Sequence, residues 1–300
     1  MVAAHDEPVA TSTWLSHFLI CEAASVRGTG ALFGGLGGDE LNAGEYEYFI
    51  FHFADLLRQG RHDTLEAEIA HWARYHDHPV YVKNRDVALA ALARLTDPAR
   101  PGVCLPDMAR LRRYADAVDP DFFDVRAMRP AMDHPFPDCL RNRTHQDIFR
   151  ETAPCCLRAE DRHARHFGMD NVLPFFDHRL VEFMFRVPGD QKIRLGVTKH
   201  LLRRAMRGIL PEETRTRVKK TGWNAPAHVW FASGAVRDGL WDLVRSRRFR
   251  ERGLWNVPEV ERILTEHAAI VESGRAAENH MMFLWQLLNM ETWLRLYVDA

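Results

Sequence analysis

Two adjacent carboxylates, Asp39 and Glu40, close a glycine-rich loop that follows the short apolar run at residues 31–33. The glycines of this loop are Gly34, Gly35, Gly37 and Gly38. An apolar run bounded by glycines is typical of a buried strand that ends in a tight loop. Because glycine has no Cβ, such a loop can approach a ligand closely, and a following helix can offer its N–H groups to an anion.

Asp39 and Glu40 would repel an anion unless a metal ion or a cationic group offset their charge. The loop therefore predicts a metal–nucleotide site or a site for a charged substrate. The residues alone also allow a plain connection between a strand and a helix, with Asp39 as the N-cap.

A third carboxylate, Asp177, follows Pro174 and two aromatic residues and precedes an apolar pattern of helical spacing. Pro174 marks a turn against the core. Asp177 is predicted to cap the next helix, because an Asp side chain can accept N–H groups left free in the first turn. Leu180, Val181 and Phe183 are predicted to form the buried face of that helix. Taken alone, the pattern indicates helix capping.

Two cationic segments complete the candidate residues. Lys199 is predicted to lie in the first turn of a helix, where a cation opposes the helix dipole. A lysine is favoured there if it faces an anion, although a solvated lysine on an amphipathic helix is the ordinary alternative. Arg217, Lys219 and Lys220 precede a glycine–aromatic turn at residues 221–223. They could grip a polyphosphate or form a basic surface loop.

Histidine-bound metals and disulfides gain little support from the sequence. It has 16 histidines and five cysteines, but no H-E-x-x-H motif and no cysteines at zinc spacing. A magnesium ion held by carboxylate and phosphate oxygens is therefore favoured over a histidine-bound metal. An odd number of cysteines in a long chain, without a C-x-x-C motif, indicates reduced thiols.

The composition is typical of a soluble globular protein, with 46% hydrophobic and 27% charged residues. A formal net charge of −1 gives no support for general nucleic-acid binding, which usually requires a basic excess. No apolar run approaches the ~20 residues that span a bilayer, and the N-terminus lacks the basic and apolar regions of a signal peptide. We therefore expect a cytoplasmic protein that binds neither nucleic acid nor membranes.

The apolar spacing predicts a chain rich in helices. The predicted helices cover residues 11–24, 46–57, 63–74, 85–95, 196–208, 257–265 and 280–298. Residues 103–145 are rich in proline and are predicted to be irregular, with helix resuming at about Thr144. Only one strand is predicted, at residues 31–33, which is too few for a free-standing α/β sheet.

Four segments together resemble the ATP-dependent amide-forming domain of the asparagine synthetase family. Residues 34–44 resemble its S-G-x-G-G-D-E-L-F-G-G segment, and residues 160–183 are similar to E-D-R…R-x-P-F-L-D-H-R-L-V-E-F. Residues 198–203 are similar to T-K-x-L-L-R. Residues 217–226 resemble R-x-x-K-x-G-F-x-x-P, with Trp223 in place of Phe. The resemblance runs from Asp6 to the C-terminus and is weakest over residues 60–145.

The resemblance implies an α/β fold dominated by helices: a partial adenine-nucleotide hydrolase-like (ATP-pyrophosphatase) domain with a remnant parallel sheet. It divides the chain into a strand and glycine-loop part at 1–59, a helical and irregular insertion at 60–145, and a C-terminal helical part at 146–300. Family members activate a carboxylic acid as an acyl-adenylate, release pyrophosphate and form an amide with ammonia. ATP and Mg²⁺ are therefore the implied cofactors.

The resemblance also implies roles for individual residues. The catalytic residues would be Asp39, Asp177 near the amide-forming centre, and Lys199 on a phosphate during attack on the acyl-adenylate. Glu40 would bind Mg²⁺. The residues that would bind ATP or pyrophosphate are Gly34, Gly35, Gly37, Gly38, Arg217 and Lys220.

The sequence departs from the family in three ways. It contains neither the amidotransferase domain with its N-terminal cysteine nor the S-G-G-x-D-S loop that grips pyrophosphate. Leu36 replaces the Asp or Glu usual in asparagine-forming members, which puts aspartate in doubt as the substrate. Asp170 replaces a Glu, and Val172 replaces an Arg.

Two hypotheses follow from these matches and departures. In the first, the chain is the C-terminal piece of an amide synthetase that acts on a carboxylic acid and ammonia. A partner chain or domain would then supply the missing loop and amidotransferase. In the second, the chain is a degenerate, non-catalytic binding or scaffold homologue. Because a truncated parallel sheet exposes a strand edge, we expect association with a partner and poor solubility alone.

Overall fold

The computed structural model describes residues 1–220, Gly222 and residues 225–299. Helices dominate these residues. The elements before residue 100 are α1 (Val2–His5), α2 (Thr13–Val26), β1 (Ala31–Phe33), α3 (Gly38–Leu41), α4 (Tyr48–Arg58), α5 (His62–His76) and α6 (Arg85–Leu95). The next are α7 (Met108–Leu111), α8 (Cys139–Phe149), α9 (Thr152–His166), β2 (Asp170–Val172), α10 (His178–Arg186) and α11 (Gly189–Lys192).

The regular elements in the C-terminal third of the described chain are all helices. Its elements are α12 (His200–Ala205), α13 (Glu212–Thr216), α14 (Ala227–Ala232), α15 (Gly234–Arg245), α16 (Arg247–Glu251), α17 (Val257–Ser273) and α18 (Met281–Tyr297). Among the described residues, no helix is both long and apolar enough to cross a bilayer.

β1 and β2 pair in parallel, so that Ala31 lies opposite Asp170 and Phe33 opposite Val172. The Gly34 N–H extends the ladder by donating to the Val172 carbonyl oxygen at 2.9 Å. The prediction of a single strand is therefore wrong. The sequence Asp-Asn-Val has neither an apolar run nor an alternating pattern, and its strand forms because β1 offers it backbone partners. The fold is thus helix-dominated with a two-stranded parallel sheet, which is consistent with the α/β class.

Most of the predicted helices are confirmed, with small shifts at their ends. α6 coincides with the prediction at residues 85–95, and the Asn84 side chain caps it by accepting the Val87 N–H. α8 begins at Cys139, before the predicted resumption near Thr144, because Asp138 caps it and accepts the Arg141 N–H at 3.0 Å. The predicted helix at 196–208 is shorter as α12, and α17 runs past the predicted end at residue 265.

Two separate apolar cores stabilise the described chain. The first lies where α4 packs against α5, α6 and α8, and it includes Phe49, Phe53, Trp72, Leu92 and Leu140. The second joins the C-terminal helices, and it includes Phe231, Leu240, Ile263, Leu284 and Trp285. Burial of such side chains contributes about 1.5–3 kcal/mol each and dominates the stability of a helical protein.

A smaller apolar cluster joins α3, α8 and α10 beneath the glycine loop. Leu41 and Met184 are buried there, with Leu180 and Val181 packed against them. Phe183 is 54% exposed, so its predicted place on the buried face of α10 is wrong. Met184 takes the buried position in its stead, because α10 turns its 180, 181 and 184 positions inward.

Candidate functional site

The glycine loop is packed so closely that side chains would not fit at several positions. A Cβ on Gly34 would lie 2.6 Å from Leu173 Cδ2. A Cβ on Gly37 would lie 3.0 Å from the Phe176 ring, and Gly37 also adopts a φ of +91°, which favours glycine. The loop is therefore held against the turn that precedes α10. Gly35 differs from these two, because a Cβ there would meet nothing within 4 Å.

The backbone N–H groups of the loop are only partly free for an anion. Gly34 donates to Val172, and Gly38 donates to the Gly35 carbonyl oxygen at 3.1 Å. The N–H groups of Gly35 and Gly37 have no acceptor among the residues that the structure describes. α3 begins at Gly38, and Gly37 takes the N-cap position, so Asp39 is not the N-cap that the plain-connection alternative required.

Asp39 lies between two lysines that are distant in sequence. Its Oδ1 is 2.6 Å from Lys199 Nζ, and its Oδ2 is 3.3 Å from Lys220 Nζ. Lys220 Nζ also pairs with the Glu45 carboxylate. We call Asp39, Glu45, Lys199 and Lys220 the lysine–carboxylate cluster. It brings together three of the predicted site residues.

The charges in this cluster stabilise one another. Burial works to raise the pKa of Asp39, but Lys199 and then Lys220 more than offset it and hold that pKa below its usual value. Burial likewise works to lower the pKa of Lys220, yet Glu45 and Asp39 raise it above its usual value. Asp39 and Lys220 therefore remain charged over the ordinary working range of pH.

Backbone geometry places Lys199 in this cluster. Lys199 adopts a left-handed conformation with φ of +57° immediately before α12, and its N–H donates to the Asn42 carbonyl oxygen at 3.1 Å. It lies one residue outside the helix, not in the first turn as predicted, and its ammonium group faces the Asp39 carboxylate. Gly44 permits this approach, because a Cβ there would overlap the Asp39 carboxylate and lie 2.6 Å from Lys199 Cε.

Glu40 forms no ion pair among the described residues and is 4% exposed. Burial, with a further contribution from Asp39, raises the pKa of its carboxyl group. No group of three or more His, Cys, Asp or Glu side chains in the described residues could hold a metal ion. Because Asp39 is already bound by two lysines and Glu40 is buried, these donors do not form a protein site for Mg²⁺.

Asp177 caps α10 as predicted, accepting the Arg179 N–H at 2.9 Å. It also pairs with the Arg179 guanidinium at 2.7 Å, which holds the pKa of its carboxyl group well below the usual range. It follows Phe175 and Phe176, whose rings cover Gly38 and Gly37. Asp177 is thus beside the glycine loop, but its described contacts do not reach the lysine–carboxylate cluster.

Arg217 follows α13 at the C-cap position and is exposed, and its side chain has no hydrogen bond or ion pair among the described residues. Burial, with the charges of Arg217 and Arg215, lowers the pKa of Arg203. Arg217 therefore belongs to a second group of cations, apart from Lys220. The predicted turn residues Thr221, Trp223 and Asn224 lie outside the described residues.

Sequence reasoning missed several residues that build the site. Glu45 pairs with Lys220, and the Tyr46 hydroxyl donates to the Lys220 carbonyl oxygen at 3.4 Å. Their position directly after Gly44 was the available signal. Glu68 on α5 accepts the N–H groups of Leu195 and Gly196 at 2.6 and 2.9 Å, which fixes the turn before Lys199. Nothing in the local sequence indicates that contact.

A glycine loop at the carboxyl end of a parallel strand, followed by a carboxylate that pairs with two lysines, is the kind of site at which α/β proteins bind anionic ligands. The asparagine synthase family matches residues 1–295. The chain belongs to this family.

Curated relatives agree with the family match at low identity. A Mycobacterium tuberculosis protein provisionally named asparagine synthetase (glutamine-hydrolysing) is 24% identical over 192 residues, which are 64% of this chain and 28% of that protein. The Bacillus subtilis asparagine synthetase (glutamine-hydrolysing) 3 is 33% identical over 78 residues, 26% of this chain and 12% of that protein. The chain thus spans less than a third of the length of these relatives. No solved structure is significantly similar to it.

Proposed function

We propose that this chain carries part of the centre of an ATP-dependent amide synthetase, in which a carboxylic acid is activated by adenylation and then attacked by ammonia. The observation that carries the proposal is the lysine–carboxylate cluster, where Lys199 and Lys220 converge on Asp39 beside the glycine loop. We also propose that the two-stranded sheet is the remnant of an adenine-nucleotide hydrolase-like domain.

The two lysines suit a reaction in which negative charge moves onto a leaving phosphate. Lys199 is held by one carboxylate oxygen and Lys220 by two carboxylates, so both ammonium groups are positioned before a ligand arrives. Such preorganised cations stabilise developing charge more than freely moving ones do. Asp39 would set the spacing of the two cations, and the arriving phosphate would compete with it for them.

We propose that the pyrophosphate loop and the amidotransferase come from elsewhere, either the rest of a longer chain or a partner. This is supported by the short sheet, in which β1 has a neighbour on one side only among the described residues. Mg²⁺ would be held largely by phosphate oxygens and by groups outside this chain, since Asp39 and Glu40 do not form a site for it.

A non-catalytic scaffold is the second candidate. It is favoured by Leu36, which offers no carboxylate where asparagine-forming members have one, and by Asp177, whose charge is already matched by Arg179.

ATP–pyrophosphate exchange separates the two candidates. The assay uses Mg²⁺ and a panel of carboxylic acids, with the chain alone and with the proteins encoded beside it. The amide-synthetase proposal expects acid-dependent exchange that Lys199→Gln abolishes and that the matched control Arg204→Gln, on the exposed side of α12, retains. A folded chain that supports no exchange under either condition would instead favour the scaffold.

A further inference from the structure

A cavity of about 800 Å³ opens beside the lysine–carboxylate cluster. It lies between the C-terminal end of α5, the α7 segment and residues 219–220. Lys220 belongs to both the cavity and the lysine–carboxylate cluster, because it lines the cavity and its Nζ is 3.3 Å from Asp39 Oδ2. A ligand in this cavity can therefore reach the cluster without crossing the protein.

The cavity has an excess of positive charge. Its lining contains six lysines and arginines and three carboxylates. Each carboxylate already has a partner: Asp107 with Arg94 (3.2 Å), Glu278 with Arg113 (2.5 Å) and Asp77 with the Lys83 backbone N–H (2.8 Å). The acidic lining residues thus form no salt bridge with Lys83, Arg110 or Lys219.

Lys83, Arg110 and Lys219 form no salt bridge among the residues that the structure describes; Asp77 and Glu47 act on Lys83 and Arg110 only at longer range. The Lys83 ammonium group donates only to the Tyr81 carbonyl oxygen, at 2.7 Å. Like charges gathered in one cleft raise the local concentration of an anionic ligand and stabilise it once bound. Three cations without a salt bridge suit a ligand with at least two negative charges.

The walls of the cavity are aromatic. Tyr46, Tyr75 and Tyr81 line it, and Lys83 Nζ lies 5.8 Å from the centre of the Tyr81 ring. Aromatic walls favour a flat ligand, because rings stack or meet edge to face at close range. An aliphatic acid of the same charge would leave these walls in contact with water.

His76 adds a hydrogen-bond acceptor that the protein leaves unused. It lines the cavity, is 6% exposed, and its Nε2 lies 2.8 Å from the Gly196 carbonyl oxygen. Because a carbonyl oxygen only accepts, Nε2 carries the proton and the neutral ring presents Nδ1 as an acceptor. Nδ1 has no partner among the described residues, and a buried acceptor favours a ligand with a hydroxyl or amine donor.

We propose that this cavity binds the acid that the chain helps to activate, and that this acid is a flat, ring-containing molecule with at least two carboxylates and a hydroxyl or amine donor. The identity of the ligand as substrate rests on the proposed function. One carboxylate would lie toward Lys220 and react, and the others would stay on Lys83, Arg110 and Lys219 as the recognition group.

Direct binding tests the cavity without requiring catalysis. Isothermal titration of the full chain with 5-hydroxyisophthalate, which has a ring, two carboxylates and a hydroxyl group, is expected to show saturable binding. 3-Hydroxybenzoate, with one carboxylate, and adipate, with no ring, are expected to bind at least tenfold more weakly. Equal binding of all three acids, or no binding of the first, would overturn the proposal.

Matched variants locate the binding. The double variant Arg110→Gln/Lys219→Gln is expected to weaken 5-hydroxyisophthalate binding about tenfold or more, since each change removes a charge-assisted contact. Arg207→Gln changes an exposed arginine outside the cavity and is expected to leave binding unchanged. Undiminished binding by the double variant, with a circular dichroism spectrum like that of the parent, would contradict the proposal.

Two further outcomes separate this site from the proposed function. In the first outcome, inorganic pyrophosphate displaces 5-hydroxyisophthalate, and the double variant also binds pyrophosphate more weakly. That result would make the cavity a binding site for the phosphates of ATP, and the acid-site proposal would fail. If the diacid binds as expected but no acid supports ATP–pyrophosphate exchange, the cavity remains a site for aromatic diacids while the synthetase proposal fails.

Discussion

Asp39 organises the candidate site at the level of single residues. One carboxylate holds two lysines that the chain supplies from positions 199 and 220, so its removal would leave two neighbouring cations without their shared partner. Glu45 would remain on Lys220 alone. The charge balance of the lysine–carboxylate cluster thus depends largely on one side chain.

The pH dependence of stability should report this role. The pKa of Asp39 in the folded chain is below its unfolded value, so its contribution is present above the unfolded value of ~3.9 and is lost as the pH falls through the folded pKa. Asp39→Asn is expected to cost about 1–2 kcal/mol near pH 7 by urea unfolding, and much less near pH 3.

Asp242→Asn is the matched control, since this exposed carboxylate on α15 has no described partner. It is expected to change the free energy of unfolding by less than ~0.5 kcal/mol at both values of pH. If Asp39→Asn and Asp242→Asn change the free energy of unfolding by the same amount at both values of pH, the two lysines do not stabilise the Asp39 carboxylate.

Gly44 is a second residue on which the cluster depends. Gly44→Ala would push a methyl group into Asp39 and Lys199, and the strain is expected to destabilise the fold by about 1–3 kcal/mol in thermal unfolding. Gly35→Ala, in the glycine loop that precedes α3, has open space and is expected to be neutral or slightly stabilising. Equal losses for the two variants would mean that the space at Gly44 is not the reason for its glycine.

At the level of elements, α5 acts as the support for Lys199. Its Glu68 accepts two N–H groups of the turn before α12, and its His76 meets the Gly196 carbonyl oxygen of the same turn. Gly196 adopts a φ of +70° against the backbone of His71, which a side chain could not do without strain. The position of Lys199 is therefore set by a helix more than a hundred residues away in sequence.

Removal of the Glu68 carboxylate should release that turn. Glu68→Ala leaves two N–H groups without acceptors and is expected to cost about 2–4 kcal/mol in urea unfolding. Glu68→Gln keeps one oxygen and should cost less. Glu66→Ala, on the exposed side of the same helix, loses only a surface pair with Arg85 and is expected to change little. If Glu68→Ala lowers the free energy of unfolding no more than Glu66→Ala does, the turn before α12 does not depend on the Glu68 carboxylate.

Local patterns predicted the helices but not the pairings between them. α6 could be predicted closely because its spacing and its Asn84 cap are encoded in neighbouring residues. β2 could not, since a polar three-residue segment becomes a strand only when β1 lies beside it. Lys199 pairs with the Asp39 carboxylate, and its predicted contact with a phosphate stays a prediction; its left-handed backbone depends on Asn42 and α5.

At the scale of the whole molecule, the first apolar core joins segments from all three predicted regions. It includes Phe49 from residues 1–59, Trp72 from residues 60–145 and Ile193 from residues 146–300. The boundaries at 59 and 145 stay a prediction. The core does explain why α5 can support the site: the predicted insertion is packed against the glycine-loop part, not only attached to it.

The outer side of β1 should govern how the chain associates. Phe33 is 77% exposed and Val26, at the end of α2, is 85% exposed, and exposed apolar residues beside a free strand edge favour pairing with another chain. We expect concentration-dependent association of the isolated chain in sedimentation velocity, reduced by Phe33→Lys. Phe122→Lys, at an exposed aromatic residue in a loop, is the control. A monodisperse monomer at all concentrations would contradict this expectation.

Most lysines of this protein lie on one face, which affects how the chain can be attached to a surface. The sequence contains only Lys83, Lys192, Lys199, Lys219 and Lys220; Lys192 is buried, and the other four lie in the cluster or line the cavity. Coupling to a sensor chip or bead through lysine amines would attach the chain at this face and hide the proposed ligand site. Immobilisation through carboxyl groups or a terminal tag would leave that face open to solution.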